Sequence, residues 1–211
     1  VGRTPVPDAI PEILLKGQRH VGLVASRYAE EPMRALERPI SGWTVRLVDE
    51  ANQPLNLMKS MEPDGYPINT RLDQVDPAVT LKALVNGVPQ GVIASLSTSS
   101  STGIRVLGYL PNSVATTGVA NWSQNTQLRV DFASPVSVVR LDAIAASATA
   151  YARLEAYDAN GNLLQRYTTR GLAAGQFETM RIERPTAGIA YVIACEHGDT
   201  AIQLDQLRFG I

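Results

Sequence analysis

The stretch "LEAYDANGNLLQRYTT", from Leu154 to Thr169, can form either of two structures. Asp158, Asn160 and Asn162 alternate within it, which is how a calcium-binding loop begins. The same polar residues between two apolar segments are also typical of a β-hairpin turn. The first interpretation makes the segment a metal site, and the second makes it part of a sheet.

The calcium-loop interpretation fails at two positions. A calcium loop of the helix-loop-helix kind requires Gly at its sixth position and a bidentate Glu at its twelfth. Counted from Asp158, those positions hold Leu163 and Thr169. Asn160-Gly161 is instead a strong signal for a two-residue turn, because both residues tolerate positive φ. We therefore predict a hairpin with Asn160 and Gly161 at its turn.

Strand signals of the same kind recur along most of the chain. Short apolar runs with alternating polar residues are separated by Gly, Pro and Asn, which indicates an antiparallel sandwich or barrel. One of these segments contains the turn signal Asn86-Gly87, and another is broken by Ser134-Pro135. The segments are Trp43 to Met58, Val79 to Ser97, Leu128 to Ala146, Leu154 to Thr169, Phe177 to Pro185, Ile189 to Glu196 and Ala201 to Ile211.

The first 65 residues read differently from the rest of the chain. Their start is punctuated by prolines, which predicts an extended arm, and Ser26 to Arg38 has helical composition. Pro32 within that segment predicts a short or kinked helix. The turn-rich "PDGYP", Pro63 to Pro67, marks a boundary. We predict an N-terminal arm with a small β/helical extension over residues 1–65 and a β-sandwich over residues 66–211.

Composition excludes several classes of protein. Apolar residues make up 45% of the 211 residues and charged residues 18%, so the chain can bury a core. Nineteen basic residues against twenty acidic ones give a net charge of −1, which provides no basic footprint for nucleic acid or an anionic membrane. We expect neither nucleic-acid binding nor membrane insertion. Cys195 is the sole cysteine, so an internal disulfide is impossible.

The order of the later strands resembles a known family. "NTQLRVDFASPVSVVRLDAI", "LEAYDANGNLL" and the final "AIQLDQLRFG" follow one another as in the galactose-binding-like β-sandwiches. These are the jelly rolls of carbohydrate-binding modules, discoidin-type domains and bacterial surface proteins. The resemblance covers roughly residues 72–211. It implies an antiparallel jelly-roll sandwich, secreted or at the cell surface, that binds a glycan or another surface ligand without catalysis.

The resemblance also implies a structural calcium site. In several such carbohydrate-binding modules an Asp of the last strand, in a pattern like "LDQLRF", helps to hold the ion; here that residue is Asp205. Those modules often add an acidic residue near the start of the domain, for which Asp73 or Asp76 could serve. The alternative is that Asp205 is a strand-end residue whose carboxylate faces water or caps a turn.

The segment "GYLPNSVATTGVANWSQN" has the strongest local concentration of sugar-binding residue types. A sugar has an apolar face and a rim of hydroxyls, so its sites combine an aromatic ring with amides or charged groups. Trp122 could provide the ring, unless it packs in the core before the strand at Leu128. The candidate ligand-binding residues are Tyr109, Asn112, Asn121, Trp122 and Asn125.

A catalytic alternative rests on "ACEHGDT". Cys195, His197 and Asp199 alternate there and have the side-chain types of a covalent catalyst. Side chains two apart on a strand project in parallel, however, whereas a catalytic triad needs them to converge. A Cys/His-dependent hydrolase is therefore the less favoured interpretation, and we expect a protein that is not an enzyme.

Two function classes remain open at this point. One is a binding module for a glycan or other surface ligand. The other is a structural subunit of a surface layer, fibre or larger assembly, in which the N-terminal arm would join copies of the chain by completing a neighbour's sheet.

Overall fold

The computed structural model describes residues 58–210 and, before them, the backbone of two strands, β1 (His20–Val24) and β2 (Thr44–Val48). These two strands pair in parallel. The chain divides into two compact units, Val1–Asn56 and Leu57–Ile211. The helix expected over Ser26 to Arg38 lies outside the described residues.

The second unit consists of strands and one turn of 3₁₀ helix at Pro63–Gly65. Its strands are β3 (Met58–Met61), β4 (Val79–Val85), β5 (Val88–Gln90), β6 (Val92–Leu96), β7 (Arg105–Tyr109), β8 (Thr126–Val136), β9 (Val138–Ala145), β10 (Ala152–Tyr157), β11 (Leu163–Thr168), β12 (Phe177–Glu183), β13 (Ile189–Glu196) and β14 (Ile202–Gly210).

These strands form two antiparallel sheets. The first sheet has the order β11-β10-β13-β8-β4-β5, and the second has the order β12-β9-β14-β7-β6, with β3 paired to β14. From β11 onward, consecutive strands alternate between the two sheets. The predicted all-β antiparallel sandwich is confirmed. One detail differs, because β8 continues through Ser134-Pro135 and the chain changes sheets at Ser137.

The sandwich starts earlier in the chain than the sequence indicates. The pairing of β3 with the last strand, Met61 opposite Leu207, makes residues 58–61 part of the second sheet. The division between the units therefore falls after Asn56 and not after residue 65. The turn at "PDGYP" lies inside the sandwich, where Pro63 is buried.

The core lies between the two sheets and follows the period of two that strands impose. In β4, for example, Val79, Leu81 and Ala83 are buried, while Thr80 and Lys82 between them are partly exposed. The same alternation gives each sheet one apolar inner face and one more polar outer face. The largest fully buried side chains include Trp122, Leu81, Leu107, Leu128, Leu141, Leu154, Met180 and Ile182.

Two hairpin turns test the turn predictions. Asn86 and Gly87 both have positive φ, 50° and 79°, and join β4 to β5 as predicted. The hairpin after Tyr157 has a longer loop than a two-residue turn. The N–H of Gly161 donates to the carbonyl of Asp158 (3.1 Å), and φ is positive at Gly161 (83°) but not at Asn160. The chain therefore makes a turn closed by a glycine bulge.

The positive φ of Gly161 predicts that any other residue at this position lowers the stability of the protein. A Cβ at this position would meet nothing closer than the Tyr191 hydroxyl at 3.6 Å, so a substitution would be strained by backbone conformation and not by crowding. We expect Gly161→Ala to lower the free energy of unfolding by about 1–2 kcal/mol, the cost of the left-handed region for an L-residue. Chemical denaturation measures this. Gly188→Ala is the control, since φ there is not positive and the nearest atom to a Cβ is 4.0 Å away. Equal stabilities of the two variants would contradict the expectation.

Candidate functional site

Two of the five residues proposed from sequence as ligand contacts lie in the core. Trp122 is fully buried, and its indole Nε1–H donates to the carbonyl of Leu107 at 2.7 Å. Tyr109 is 7% exposed and packs against it with 5.0 Å between ring centroids. Neither ring can offer a platform to a ligand, which corrects that prediction. Trp122 is instead a core residue, as the alternative interpretation of the sequence expected.

The three asparagines of the same segment are exposed, and each contacts a different part of the protein. Asn112 Oδ1 accepts from the backbone N–H of Val114 at 3.1 Å. Asn121 Oδ1 accepts from Gln203 Nε2 at 3.2 Å. The carbonyl of Asn125 accepts from the N–H of Asn86 at 2.7 Å. Of these three asparagines, Asn112 alone lines the cavity described below.

The outer face of the first sheet holds an ordered set of aromatic and charged side chains. Strand pairing aligns residues of neighbouring strands in rows across the sheet, which places their side chains on one face. From β11 inward, the rows are Leu163, Tyr157, Tyr191, Asp131 and Thr80; Arg166, Glu155, Ile193, Arg129 and Lys82; and Thr168, Arg153 and Cys195. We call this surface the outer face.

A stack of three side chains stands at the centre of the outer face. The rings of Tyr157 and Tyr191 are nearly parallel, 9° apart, with 4.9 Å between their centroids. The guanidinium carbon of Arg129 lies 3.9 Å from the centroid of the Tyr191 ring. Stacking and cation–π attraction hold the three groups in order across β10, β13 and β8. We call Arg129, Tyr191 and Tyr157 the aromatic stack.

Asp131 anchors the polar side of the aromatic stack. Its Oδ1 accepts from Arg129 Nε at 2.8 Å, and its Oδ2 accepts from Lys82 Nζ at 2.9 Å. Burial alone would raise the pKa of Asp131, but the hydrogen bonds from Arg129 and Lys82 outweigh it and hold the pKa below its usual value. Asp131 is therefore a charged acceptor at neutral pH.

Glu155 plays the same part on the other side of the stack. It accepts from the hydroxyl of Tyr157 and, at 2.7 Å, from Arg166 Nε. Burial would raise the pKa of Glu155, yet these two hydrogen bonds lower it overall. Burial, with the adjacent Glu155 carboxylate, raises the pKa of Tyr157 to about 12. The Tyr157 hydroxyl therefore stays protonated and is held in place by an acceptor.

The outer face continues into a cavity at the β4–β5 edge. This cavity measures about 360 Å³ and shares Thr80 and Lys82 with the rows described above. Its wall adds side chains that can donate to and accept from hydroxyls. They include Arg71, Asp73, Gln74, Gln90, Asn112 and Ser113. Because Lys82 reaches Asp131 from the cavity, the aromatic stack and the cavity form one continuous surface.

Cys195 and His197, proposed above as residues of a hydrolase, lie at the edge of the outer face beside Arg153. Burial, followed by the charge of Glu155, raises the pKa of the Cys195 thiol to about 11. A thiol with so high a pKa is protonated at neutral pH, and the thiolate is the form that attacks a substrate. The imidazole of His197 contacts the guanidinium of Arg153. Both observations favour a structural Cys195.

A second polar cluster surrounds Asp205, the residue proposed for calcium. Asp205 is fully buried, and its Oδ2 accepts from the backbone N–H groups of Ser101 and Thr102 at 3.0 and 3.1 Å. Thr102 Oγ1 lies 3.0 Å from Glu62 Oε2 and 3.3 Å from Asp205 Oδ2, so one hydroxyl links two carboxylates. Asp205 belongs to a bulge in β14, next to Gln206 with φ of 42°.

The two carboxylates of this cluster lack a cationic partner among residues 58–210. Burial raises the pKa of Asp205. Burial and then the charge of Asp205 raise the pKa of Glu62. Glu62 Oε1 and Asp64 Oδ2 are buried and accept no hydrogen bond from any described group. The buried Asp205 beside the partly buried Glu62, with unsatisfied oxygens on Glu62 and Asp64, fits a hard cation, which prefers several oxygen ligands.

The acidic partner of Asp205 is Glu62, which the sequence did not single out. Asp73 Oδ1 instead accepts from the N–H of Val92 at 2.6 Å. Asp76 Oδ1 accepts from the N–H of Ala78 at 2.7 Å and lies 3.6 Å from Lys59 Nζ. In the described part of the chain no three His, Cys, Asp or Glu side chains group as metal ligands, so an ion here would also need hydroxyl or carbonyl oxygens.

Proteins similar to this chain are found among solved structures. No family model matches the chain, and no curated protein matches it. Among solved structures, the CBM22-1 xylan-binding domain of Paenibacillus barcinonensis Xyn10C is similar, with 13% identity and a TM-score of 0.41 over 74% of this chain and 94% of that one.

Two further structures illustrate the range of matches. The CBM22-1–GH10 modules of Clostridium thermocellum Xyn10B, complexed with xylohexaose, match at 9% identity and a TM-score of 0.40. That match spans 67% of this chain and 27% of the xylanase chain. The K2 cleaved adhesin domain of Lys-gingipain matches at 13% identity and a TM-score of 0.37, over 73% of this chain and 90% of that one. Carbohydrate-binding modules, the class that the sequence resembles, are thus among the matches. Within the described residues, no helix is long and apolar enough to cross a membrane.

Proposed function

We propose that residues 57–211 form a non-catalytic carbohydrate-binding module whose glycan lies across the outer face. The observation that carries this proposal is the aromatic stack, set in register with charged acceptors and donors on both sides. A sugar ring presents C–H groups to an aromatic surface and hydroxyls to polar groups around it. The outer face offers both within one set of rows.

The dimensions of the outer face suit an extended glycan. The first row crosses five strands, from Leu163 to Thr80, and spans roughly 20 Å at the usual spacing between strands. Its β11 end is apolar, since Leu163 is 45% exposed beside Tyr157. Its β4 end is polar and opens into the cavity. A chain of several sugars can therefore meet apolar contacts first and hydrogen-bonding groups farther along.

The electrostatics of the outer face favour binding over catalysis. The pKa values of Asp131 and Glu155 are lowered, so both carboxylates accept hydrogen bonds at neutral pH. A general acid for glycoside cleavage needs a raised pKa. Fixed ion pairs also hold Arg129 and Lys82 in place before a ligand arrives, which reduces the entropic cost of binding. We propose an extracellular location on the basis of this ligand class.

A tyrosine substitution tests the proposed glycan site. We expect Tyr157→Ala to weaken binding of any glycan that the parent protein retains by tenfold or more, since aromatic anchors at binding sites contribute on the order of 2 kcal/mol. A glycan array would select the ligand, and titration calorimetry would measure the affinity. Tyr151→Ala is the control, because Tyr151 is an exposed tyrosine (45%) that lies in the loop before β10 and outside the aromatic stack.

Two outcomes would count against this proposal. Unchanged affinity of Tyr157→Ala, with both variants folded, would remove the aromatic stack from the binding site. A parent protein that binds no glycan and forms concentration-dependent oligomers would support the structural-subunit alternative. The N-terminal arm invoked for such a homo-oligomer lies outside the described residues.

We also propose that the cluster at Asp205 holds a structural calcium ion. Asp205 and Glu62 would bind the ion, and the unsatisfied oxygens of Glu62 and Asp64 support this. When bound, the cation would neutralise the carboxylates of Asp205 and Glu62 and tie the loop at Ser101 and Thr102 to the first and last strands of the unit. The role would be stabilisation of the fold and not direct contact with the glycan.

A further inference from the structure

The outer side of the second sheet carries a row of three arginines. Arg181 of β12 pairs with Arg140 of β9, and Arg140 pairs with Arg208 of β14. Neighbouring strands lie about 4.8 Å apart, so the three arginines are aligned at their Cα atoms across the sheet. We call them the arginine row. Ser60 of β3, opposite Arg208, continues it.

The arginine row lies on the surface opposite to the outer face. The chain neighbours of each arginine, such as Leu141 and Ile182, are buried between the sheets. Because strand residues alternate, the arginines must project from the other side of their sheet. The side chain of Arg181 is 51% exposed and that of Arg208 is 28% exposed, so solvent reaches the row. A ligand here could bind independently of the aromatic stack.

Nearby carboxylates pair with two of the three arginines of the arginine row. Arg208 Nη2 lies 2.8 Å from Asp142 Oδ1, which also accepts from the Thr179 hydroxyl. Arg181 pairs with Glu183 in an exposed contact, a type that stabilises little. Among residues 58–210, Arg140 has no ion-pair partner, and the Nε atoms of Arg140 and Arg208 are buried without an acceptor. One of the three positive charges is left uncompensated, at the centre of the row.

Like charges directly opposite each other in a sheet destabilise it. An anionic ligand would reverse that effect, because guanidinium groups bind carboxylate and sulfate oxygens through paired N–H donors. We propose that the arginine row is a second binding site, for the acidic groups of an anionic polysaccharide. Such a polymer carries carboxylates or sulfates on successive sugars, so several of its acidic groups can reach arginines on neighbouring strands.

Three polysaccharides of different charge test this proposal. Polygalacturonate carries carboxylates, dextran sulfate carries sulfates, and dextran is uncharged. We expect the protein to bind one or both acidic polymers at least tenfold more tightly than dextran at low salt, and the difference to shrink as salt screens the charges. The two acidic arms distinguish carboxylate from sulfate. Equal binding of all three polymers would overturn the proposal.

Substitutions locate the acidic-polymer site. Arg140→Gln should weaken the acidic-polymer affinity about tenfold, as expected for a lost charge-assisted hydrogen bond. Arg140 has no described ion-pair partner, so this change leaves no carboxylate unpaired. Arg170→Gln is the matched control, an arginine 75% exposed between β11 and β12. Equal losses in both variants, or none in Arg140→Gln, would exclude the arginine row.

This site and the glycan site can fail separately. Tyr157→Ala should retain the acidic polymer, and Arg140→Gln should retain a neutral glycan bound by the parent protein. Loss of acidic-polymer binding in Tyr157→Ala with retention in Arg140→Gln would assign both ligands to the outer face and overturn the second site.

Discussion

Trp122→Ala should be the most destabilising of the single substitutions considered for this protein. The indole is fully buried between the sheets and packs against Tyr109. Its N–H is satisfied by the carbonyl of Leu107, which the truncation would leave unpaired. Removing a buried Trp side chain costs roughly 3–5 kcal/mol through lost burial and the cavity that remains. For a unit of this size, that loss corresponds to a melting temperature lower by roughly 6–20 °C.

Two companion variants separate packing from the hydrogen bond. Trp122→Phe keeps an aromatic ring in the core but removes the donor to Leu107, so we expect a loss of about 1–3 kcal/mol. Val114→Ala, at a side chain 85% exposed, should melt with the parent protein. Thermal unfolding followed by circular dichroism measures all three. A Trp122→Ala variant as stable as Val114→Ala would mean that Trp122 is not a core residue in solution.

The sequence was most informative where strands alternate strictly. From Val79 to Ala83 in β4 and from Leu128 to Phe132 in β8, every second residue is apolar and buried in the core. The Asn86-Gly87 turn was also predictable, because few dipeptides adopt two consecutive positive φ values. The loop between Tyr157 and Leu163 is longer than the predicted two-residue turn. The Asn-Gly dipeptide predicts a turn but does not reveal whether a bulge lengthens the loop. Here Asn160, which precedes Gly161, does not have a positive φ.

The aromatic stack was harder to predict, although each strand carries a signal for it. Tyr157 and Tyr191 both lie at the partly exposed positions of their strands, which alternate with the buried ones. Their contact depends on the pairing of β10 with β13, two strands that are not consecutive. Periodicity gives the face on which a residue lies but not the register between distant strands. Tyr109 and Trp122 were predicted to bind ligand because polar loop residues surround them in the sequence. Burial of their large apolar surface instead places both in the core.

Glu62 was missed for a related reason. It follows β3, which pairs with the last strand of the chain, so Glu62 and Asp205 are brought together by a contact between the two ends of the unit. The sequence boundary placed at residue 65 excluded Glu62 from the sandwich. The turn at Pro63 to Pro67 is genuine, but a turn within a domain and a linker between domains have the same residue types.

Calcium should raise the melting temperature of the protein, and this is the second large effect that we expect. An ion that binds the native state alone stabilises it by about 2.7 kcal/mol when its concentration is 100 times its dissociation constant. That corresponds to a rise of roughly 5–11 °C for a unit of this size. The physical reason is local, since the ion would neutralise the buried Asp205 and the partly buried Glu62, two carboxylates without a described cationic partner. Melting in calcium against melting in chelator measures the rise.

Acid-to-amide variants identify the residues responsible for the calcium-dependent rise in melting temperature. Asp205→Asn and Glu62→Gln should each abolish the calcium-dependent increment, because a neutral amide holds a hard cation far more weakly than a carboxylate. Asp158→Asn is the control. Its two oxygens already accept from the N–H groups of Asn160 and Asn162 at 2.9 and 2.8 Å and from Asn162 Nδ2 at 2.9 Å, so the hairpin loop, not an ion, satisfies them. An increment lost in Asp158→Asn but kept in Asp205→Asn would move the metal to the hairpin. A parent protein that melts identically in calcium and in chelator would leave Asp205 as a carboxylate that caps the loop at Ser101 and Thr102.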